Sequence, residues 1–121
     1  MYRSMMQAYI KNSVQAVTFY QNAFGAKLIC NHQNHDGTVA HAELNIFGQI
    51  LAICESDKNE TITGNSMQFC LHFGKGKEEL VQKIIDNLCD GGEILYSGAV
   101  DWSPLLTDLI DKFGVRWLIF V

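Results

Sequence analysis

The sequence predicts an α+β fold made of two repeated βαβββ modules, and three observations predict it. Two amphipathic helical segments, each closed by glycine, stand at corresponding places in the two halves. Short apolar runs of strand length surround both of them. Finally, landmarks recur at a nearly constant spacing. Phe47-Gly48 followed by Gln49 to Cys54 is echoed by Phe113-Gly114 followed by Val115 to Phe120, and the two helices are offset by almost the same amount. Separate matches at one offset point to duplication.

In chain order, the first strand is expected over Met5 to Ile10. From Ser13 the residues Ala16, Phe19, Tyr20, Ala23 and Phe24 share one helical face, with Ser13 as the expected N-cap and Gly25 as the left-handed C-terminal residue. Strands follow at Ala26 to Asn31, Val39 to Ile46 and Gln49 to Cys54. The polar stretch Asp57 to Asn65, carrying Gly64, reads as a linker or a lid. It divides modules of about residues 1–56 and 66–121. The second module opens with a strand at Met67 to Phe73. A helix begins near Lys77, with Val81, Ile84, Ile85 and Leu88 on one face, and Gly91-Gly92 ends it. Strands at Glu93 to Tyr96, Leu105 to Ile110 and Val115 to Val121 complete it, with Trp102-Ser103-Pro104 in a loop.

A chain of 121 residues fits one domain that buries roughly two thirds of its unfolded surface. Half of it has too little core alone, so the two sheets are expected to curve around a cleft. With 48% hydrophobic and 18% charged residues, the composition excludes general disorder. The formal charge of −4 and the neutralisation of Lys75 and Lys77 by Glu78 and Glu79 argue against a nucleic-acid partner. No apolar run reaches the roughly 18 residues of a membrane span, and Met1-Tyr2-Arg3-Ser4 lacks the order of a signal peptide. A cytoplasmic protein without a membrane partner is expected. Cys30, Cys54, Cys70 and Cys89 show no C-x-x-C spacing and read as reduced thiols.

Several motifs together resemble the PhnB-like branch of the vicinal-oxygen-chelate superfamily, the group of glyoxalase I and the bleomycin-resistance proteins. They are Ala16-Val17-Thr18-Phe19-Tyr20, Ala23-Phe24-Gly25-Ala26, His41-Ala42-Glu43-Leu44, Gly91-Gly92, Trp102-Ser103-Pro104 and Asp111-Lys112-Phe113-Gly114-Val115-Arg116-Trp117. The resemblance implies paired modules around a pocket, commonly in a homodimer. In metal-dependent relatives four sheet positions supply His or Glu ligands, and these fall at or near Met5, Ala52, Gln68 and Leu118. Only Gln68 could offer a donor to a divalent metal. No metal and no other cofactor is therefore expected at those positions. Chains of this branch are sometimes described as ubiquinone-pathway methyltransferases, but no glycine-rich strand-to-helix loop is present.

The candidate chemistry is sparse. His41 and Glu43, two apart on a strand, leave the same face toward either solvent or the cleft, and are the candidates for acid-base work. Cys30, His32, His35 and Asp36 cluster around a turn ending at Gly37, a pattern that suggests zinc but equally suits a wet, mobile loop. Gln68, Cys70 and His72 share a face by parity, and His72 reads either as a pocket residue or as a hydrogen-bonded structural one. Asp101, Trp102, Phe113, Trp117 and Tyr9 supply aromatic surface and a carboxylate, with Phe113 and Trp117 equally suited to a core. Arg116 points at a bound anion or at solvent. The residues expected to bind ligand are Tyr9, His41, Glu43, Gln68, His72, Trp102 and Trp117. The first expectation is a metal-independent protein binding a small organic molecule. The second is a lyase, isomerase or dioxygenase-like enzyme with a displaced metal site using His41, Glu43 and His72. The third is an interaction module.

Overall fold

The computed structural model describes residues 1–64 and 66–121, which divide into two compact units, Met1–Thr61 and Ile62–Val121. Asn65, the last residue of the expected linker, lies outside the described residues.

The first unit runs β1 (Met6–Ile10), α1 (Ser13–Phe24), β2 (Lys27–Gln33), β3 (Val39–Ile46) and β4 (Gln49–Glu55). Its sheet has the order β1-β4-β3-β2. β1 lies parallel to β4, and the remaining pairs are antiparallel. Strand alternation sends Ala42, Leu44, Leu51 and Ile53 into a core with Ala16, Val17, Tyr20 and Phe24 of α1. Their apolar character is what holds helix to sheet, at roughly 1.5–3 kcal/mol for each large side chain removed from water.

The start of α1 differs from expectation. Ser13 is the first helical residue, not the cap; Asn12 occupies the cap in a left-handed conformation (φ 66°) with no side-chain bond to the helix. A residue distant in sequence does the capping instead. Glu55 at the end of β4 accepts from both the Ser13 N–H (3.1 Å) and its hydroxyl (2.8 Å), while that hydroxyl accepts from the Val39 N–H (3.0 Å). An orphan helix donor is thus satisfied by a carboxylate, which the helix dipole also favours. At the other end Gly25 takes the left-handed conformation (φ 61°) expected of it, and its N–H reaches the Gln21 carbonyl.

The second unit runs β5 (Phe69–His72), α2 (Glu78–Leu88), β6 (Glu93–Val100), β7 (Ser103–Ile110) and β8 (Arg116–Phe120), with sheet order β5-β8-β7-β6. Here too the outer pair, β5 and β8, is parallel. Val81, Ile84, Ile85 and Leu88 are buried on one face of α2, and Leu109, Trp117 and Ile119 are buried on the sheet. Several boundaries move. β5 is shorter than the expected Met67 to Phe73. β6 runs on to Val100, and β7 begins at Ser103, so Ser103 and Pro104 belong to a strand and only Trp102 to the turn. Proline is tolerated there because the first residues of a strand need not donate to the ladder. The Ser103 hydroxyl, buried, ties this strand start to the carbonyls of Leu105 and Val121. At Gly92 any Cβ would run into the Ile110 carbonyl and the Asp111 backbone.

The sequence repeat corresponds to a repeated turn. Between β3 and β4, Asn45 accepts the Gly48 N–H on its side-chain oxygen (2.7 Å). Between β7 and β8 Asp111, at the same offset as Phe113-Gly114 from Phe47-Gly48, accepts the N–H groups of Phe113 (2.9 Å) and Val115 (3.1 Å). Both are side-chain-stapled hairpin connections. No helix among the described residues is long and apolar enough to cross a membrane.

Candidate functional site

On the sheet face of the first unit turned away from α1, the register sets out two rows. Glu43 lies across from Cys30 on one side and from Ala52 on the other, with Gln7 next to Ala52. In the second row His41 lies across from His32, and Tyr9 lies beside Cys54. Glu43 is the hub. It is 4% exposed, and the Arg3 guanidinium grips both of its oxygens, Nη2 to Oε1 at 2.7 Å and Nη1 to Oε2 at 3.2 Å. His41 Nε2 lies 3.2 Å from Oε1, and the Cys30 thiol donates to Oε2 at 3.7 Å. Behind His41, the Cys54 sulfur lies 3.8 Å from Nδ1. These donors, Arg3 foremost and then His41, outweigh burial and hold the Glu43 carboxyl down at about 2. Glu43 is a committed anion that fixes the imidazole, with neither oxygen idle. Burial pushes the thiols of Cys30 and Cys54 up.

The second unit carries a counterpart on the face turned away from α2. Asp108 lies across from Leu118, which lies beside Cys70. Its carboxylate is also clamped by arginine, Arg116 Nε to Oδ1 at 3.0 Å and Nη2 to Oδ2 at 2.7 Å, and accepts from the Gln68 amide at 3.2 Å. The Arg116 bonds hold Asp108 below the usual carboxylate range, and Asp108 in turn raises Arg116. Arg116 thus points at Asp108 rather than at an anion or open solvent. One row further along, the rings of His72 and Phe120 stack at 4.5 Å, and Trp102 meets Phe120 edge-on at 5.1 Å. Trp102 is 65% exposed.

Of the seven residues expected to touch ligand, Tyr9, His41 and Glu43 fall on the first of these faces, and Gln68, His72 and Trp102 on or beside the second. Trp117 does not. Odd parity on β8 sends it to the opposite face, where it is 0% exposed and its indole N–H donates to Asp111 Oδ2 at 2.9 Å. It is a core residue, as is Phe113. The turn cluster also disperses: Cys30 turns to Glu43, while Asp36 is occupied by the N–H (3.0 Å) and hydroxyl (2.6 Å) of Thr38. Arg3, Asp108 and Phe120 were missed by sequence reasoning. Nothing in the segment before β1 marks Arg3, whereas Phe120 and Asp108 follow from strand parity once the β7–β8 register is known.

No family model and no curated protein sequence matches the chain. Solved structures do match over almost its whole length. The PhnB protein from Bacillus cereus, a proposed 3-demethylubiquinone-9 3-methyltransferase, superposes with a TM-score of 0.81 at 23% identity over 98% of both chains. The chain has the glyoxalase/bleomycin-resistance fold. Other bearers of this fold are similar at lower identity. The fosfomycin-resistance protein FosX from Listeria monocytogenes, as a mutant complexed with Mn(II) and 1S,2S-dihydroxypropylphosphonic acid, gives 0.73 at 14% over 98% of this chain and 90% of its own. TioX from Micromonospora sp. ML1 gives 0.63 at 19% over 98% of both.

The residues at the metal positions implied by the resemblance do not fit a metal. Met5, Ala52 and Leu118 bring no hard or borderline donor, and the Gln68 amide is engaged with Asp108. The carboxylates beside these positions, Glu43 and Asp108, have their oxygens spent on arginine. Among the described residues no three His, Cys, Asp or Glu side chains are placed to hold a metal ion.

Proposed function

We propose that this chain is a PhnB-like member of the vicinal-oxygen-chelate superfamily that binds a small, flat organic molecule without a metal centre. The reading rests above all on the second unit's aromatic group: Trp102, largely exposed at a turn, set edge-on against Phe120, which stacks on His72. An indole set against a neighbouring ring yet open to water presents a broad apolar face on which a planar ligand can stack. Cys70 and Leu118 continue this surface with soft, apolar contact, and the Gln68-Asp108-Arg116 group bounds it with polar atoms. The fold carries no argument for a reaction, because bearers of one fold perform unrelated chemistry. Methyl transfer, the role proposed for the Bacillus cereus protein, finds no nucleotide-type glycine-rich loop in this sequence. A homodimer and a cytoplasmic location complete the proposal.

Tryptophan fluorescence tests it, because the chain has two tryptophans of opposite character. Titration with a panel of aromatic and heteroaromatic acids is expected to quench the water-exposed Trp102 emission and leave the buried Trp117 component unchanged. In a Trp102→Ala variant the affinity of any such ligand should fall about tenfold or more, the loss of one good stacking contact. Binding of equal strength in wild type and variant, or no quenching by any compound, would remove the reading.

A further inference from the structure

The depression of about 320 Å³ at the start of α1 is lined by Ser13 and Glu55, whose polar groups already satisfy one another. The exposed apolar residues Ile94, Leu95 and Tyr96 lie on the edge strand β6, with nothing to say what covers them. One cluster goes further.

We propose that Cys54 is a nucleophilic thiol served by His41, and that the site takes an α,β-unsaturated carbonyl compound as its electrophile. This inference is carried by the first unit alone and does not depend on the aromatic surface of the second. The three groups form a relay: Cys54 Sγ to His41 Nδ1 at 3.8 Å, and His41 Nε2 to Glu43 Oε1 at 3.2 Å. A neutral imidazole has one N–H and one lone pair. Because the Glu43 carboxylate stays ionised in the grip of Arg3, the N–H belongs on Nε2, and Nδ1 is left as the acceptor facing the thiol. Nucleophile, base and orienting carboxylate are the parts an activated thiol requires. Burial keeps the resting thiol protonated, so the proton leaves as the new bond forms rather than beforehand.

The step balances without a further reagent. The Cys54 sulfur bonds to the β-carbon, the alkene π pair shifts to join the α-carbon and the carbonyl carbon, and the carbonyl π pair moves onto oxygen, giving an enolate. The thiol proton passes to His41 Nδ1 and from there to the α-carbon. S–H has then been added across C=C. Tyr9, beside Cys54 on β1, receives the Gln7 amide on its phenol oxygen at 3.0 Å, which leaves its O–H to donate to the developing enolate. Cys30 has the opposite setting. Its thiol faces the Glu43 carboxylate, which together with burial disfavours the thiolate.

The test is the rate of N-ethylmaleimide addition to each cysteine of the native protein, read by peptide mass mapping against the same chain unfolded in guanidinium. Cys54 is only 8% exposed and Cys70 is exposed, so access alone predicts that Cys70 labels first and Cys54 is protected. The proposal predicts that native Cys54 reacts about a hundredfold faster than unfolded Cys54, the low end of what a positioned base contributes. His41→Gln should remove that acceleration and leave Cys70 labelling unchanged. Cys54 slower in the native chain than in the unfolded one overturns the proposal, as does a native Cys54 rate indifferent to His41→Gln. Should His41→Gln fail to fold, the native-to-unfolded ratio of the unsubstituted chain decides by itself.

Discussion

At the scale of single residues, buried carboxylates organise this protein. Asp111 takes the N–H groups of Phe113 and Val115 on one oxygen and the Trp117 indole on the other, so the Asp111-to-Trp117 motif works here as a turn staple for β8. Asp111→Ala would leave these donors unpaired in the interior, where each lost partner costs about 1–3 kcal/mol. A loss of about 2–5 kcal/mol is expected in urea unfolding, while Asp101→Ala, at an exposed turn, should change little. Glu43 makes a different prediction because it titrates. Its carboxyl is depressed from 4.5 to about 2 on folding, chiefly by Arg3. A depressed acid stabilises the fold fully above its unfolded value and loses that contribution as pH falls through the folded one. The stability gap between wild type and Glu43→Gln should therefore be constant above about pH 5, and should close as pH falls toward 2. Urea midpoints at pH 7, 4 and 3 check it; a gap that does not change with pH would mean that the Arg3 pair adds nothing.

Among the elements, periodicity does most of the work. The face of Val81, Ile84, Ile85 and Leu88 was legible in the sequence and is the buried face of α2. Ile85→Ala should cost about 2–5 kcal/mol by chevron or equilibrium unfolding, against less than about 0.5 kcal/mol for Lys83→Ala on the exposed side. Equal costs would contradict the burial assigned to this helix. The strands were equally legible where apolar and polar residues alternate, as at Val39–Ile46, whose bounds coincide with β3. What alternation does not carry is register. The capping of Ser13 by Glu55, the Arg3-Glu43 pair and the clamping of Asp108 by Arg116 and Gln68 join residues from different strands or segments. Each becomes visible only when the strands are laid side by side. Trp117 shows the same limit from the other side. Its aromatic character suggested a ligand surface, but a single step of parity on β8 places it in the core while Phe120 reaches the opposite face.

For the whole molecule, the repeated arrangement of the two units carries an argument about metals. In each, the residue at the implied metal position of the last strand, Ala52 or Leu118, lies across from a carboxylate on the preceding strand, Glu43 or Asp108. Both carboxylates are neutralised by a bidentate arginine. In either unit a divalent ion would have to displace a charge-assisted pair and would then find Ala or Leu where it needs a donor. Any ligand that binds only the native state must raise the unfolding midpoint. Chelator-treated protein is therefore expected to show no change in Tm with Zn, Ni, Co, Mn or Fe(II) at concentrations well above those of a resident cofactor. The Arg3→Ala and Arg116→Ala variants supply the sharper comparison, since each frees a carboxylate. If metal raises the midpoint of a variant but not of the parent, the arginines are what keep these faces metal-free. A rise of several degrees in the parent, abolished by His41→Ala or Glu43→Ala, would instead establish a displaced metal site and turn the search for a substrate toward chelating oxygens.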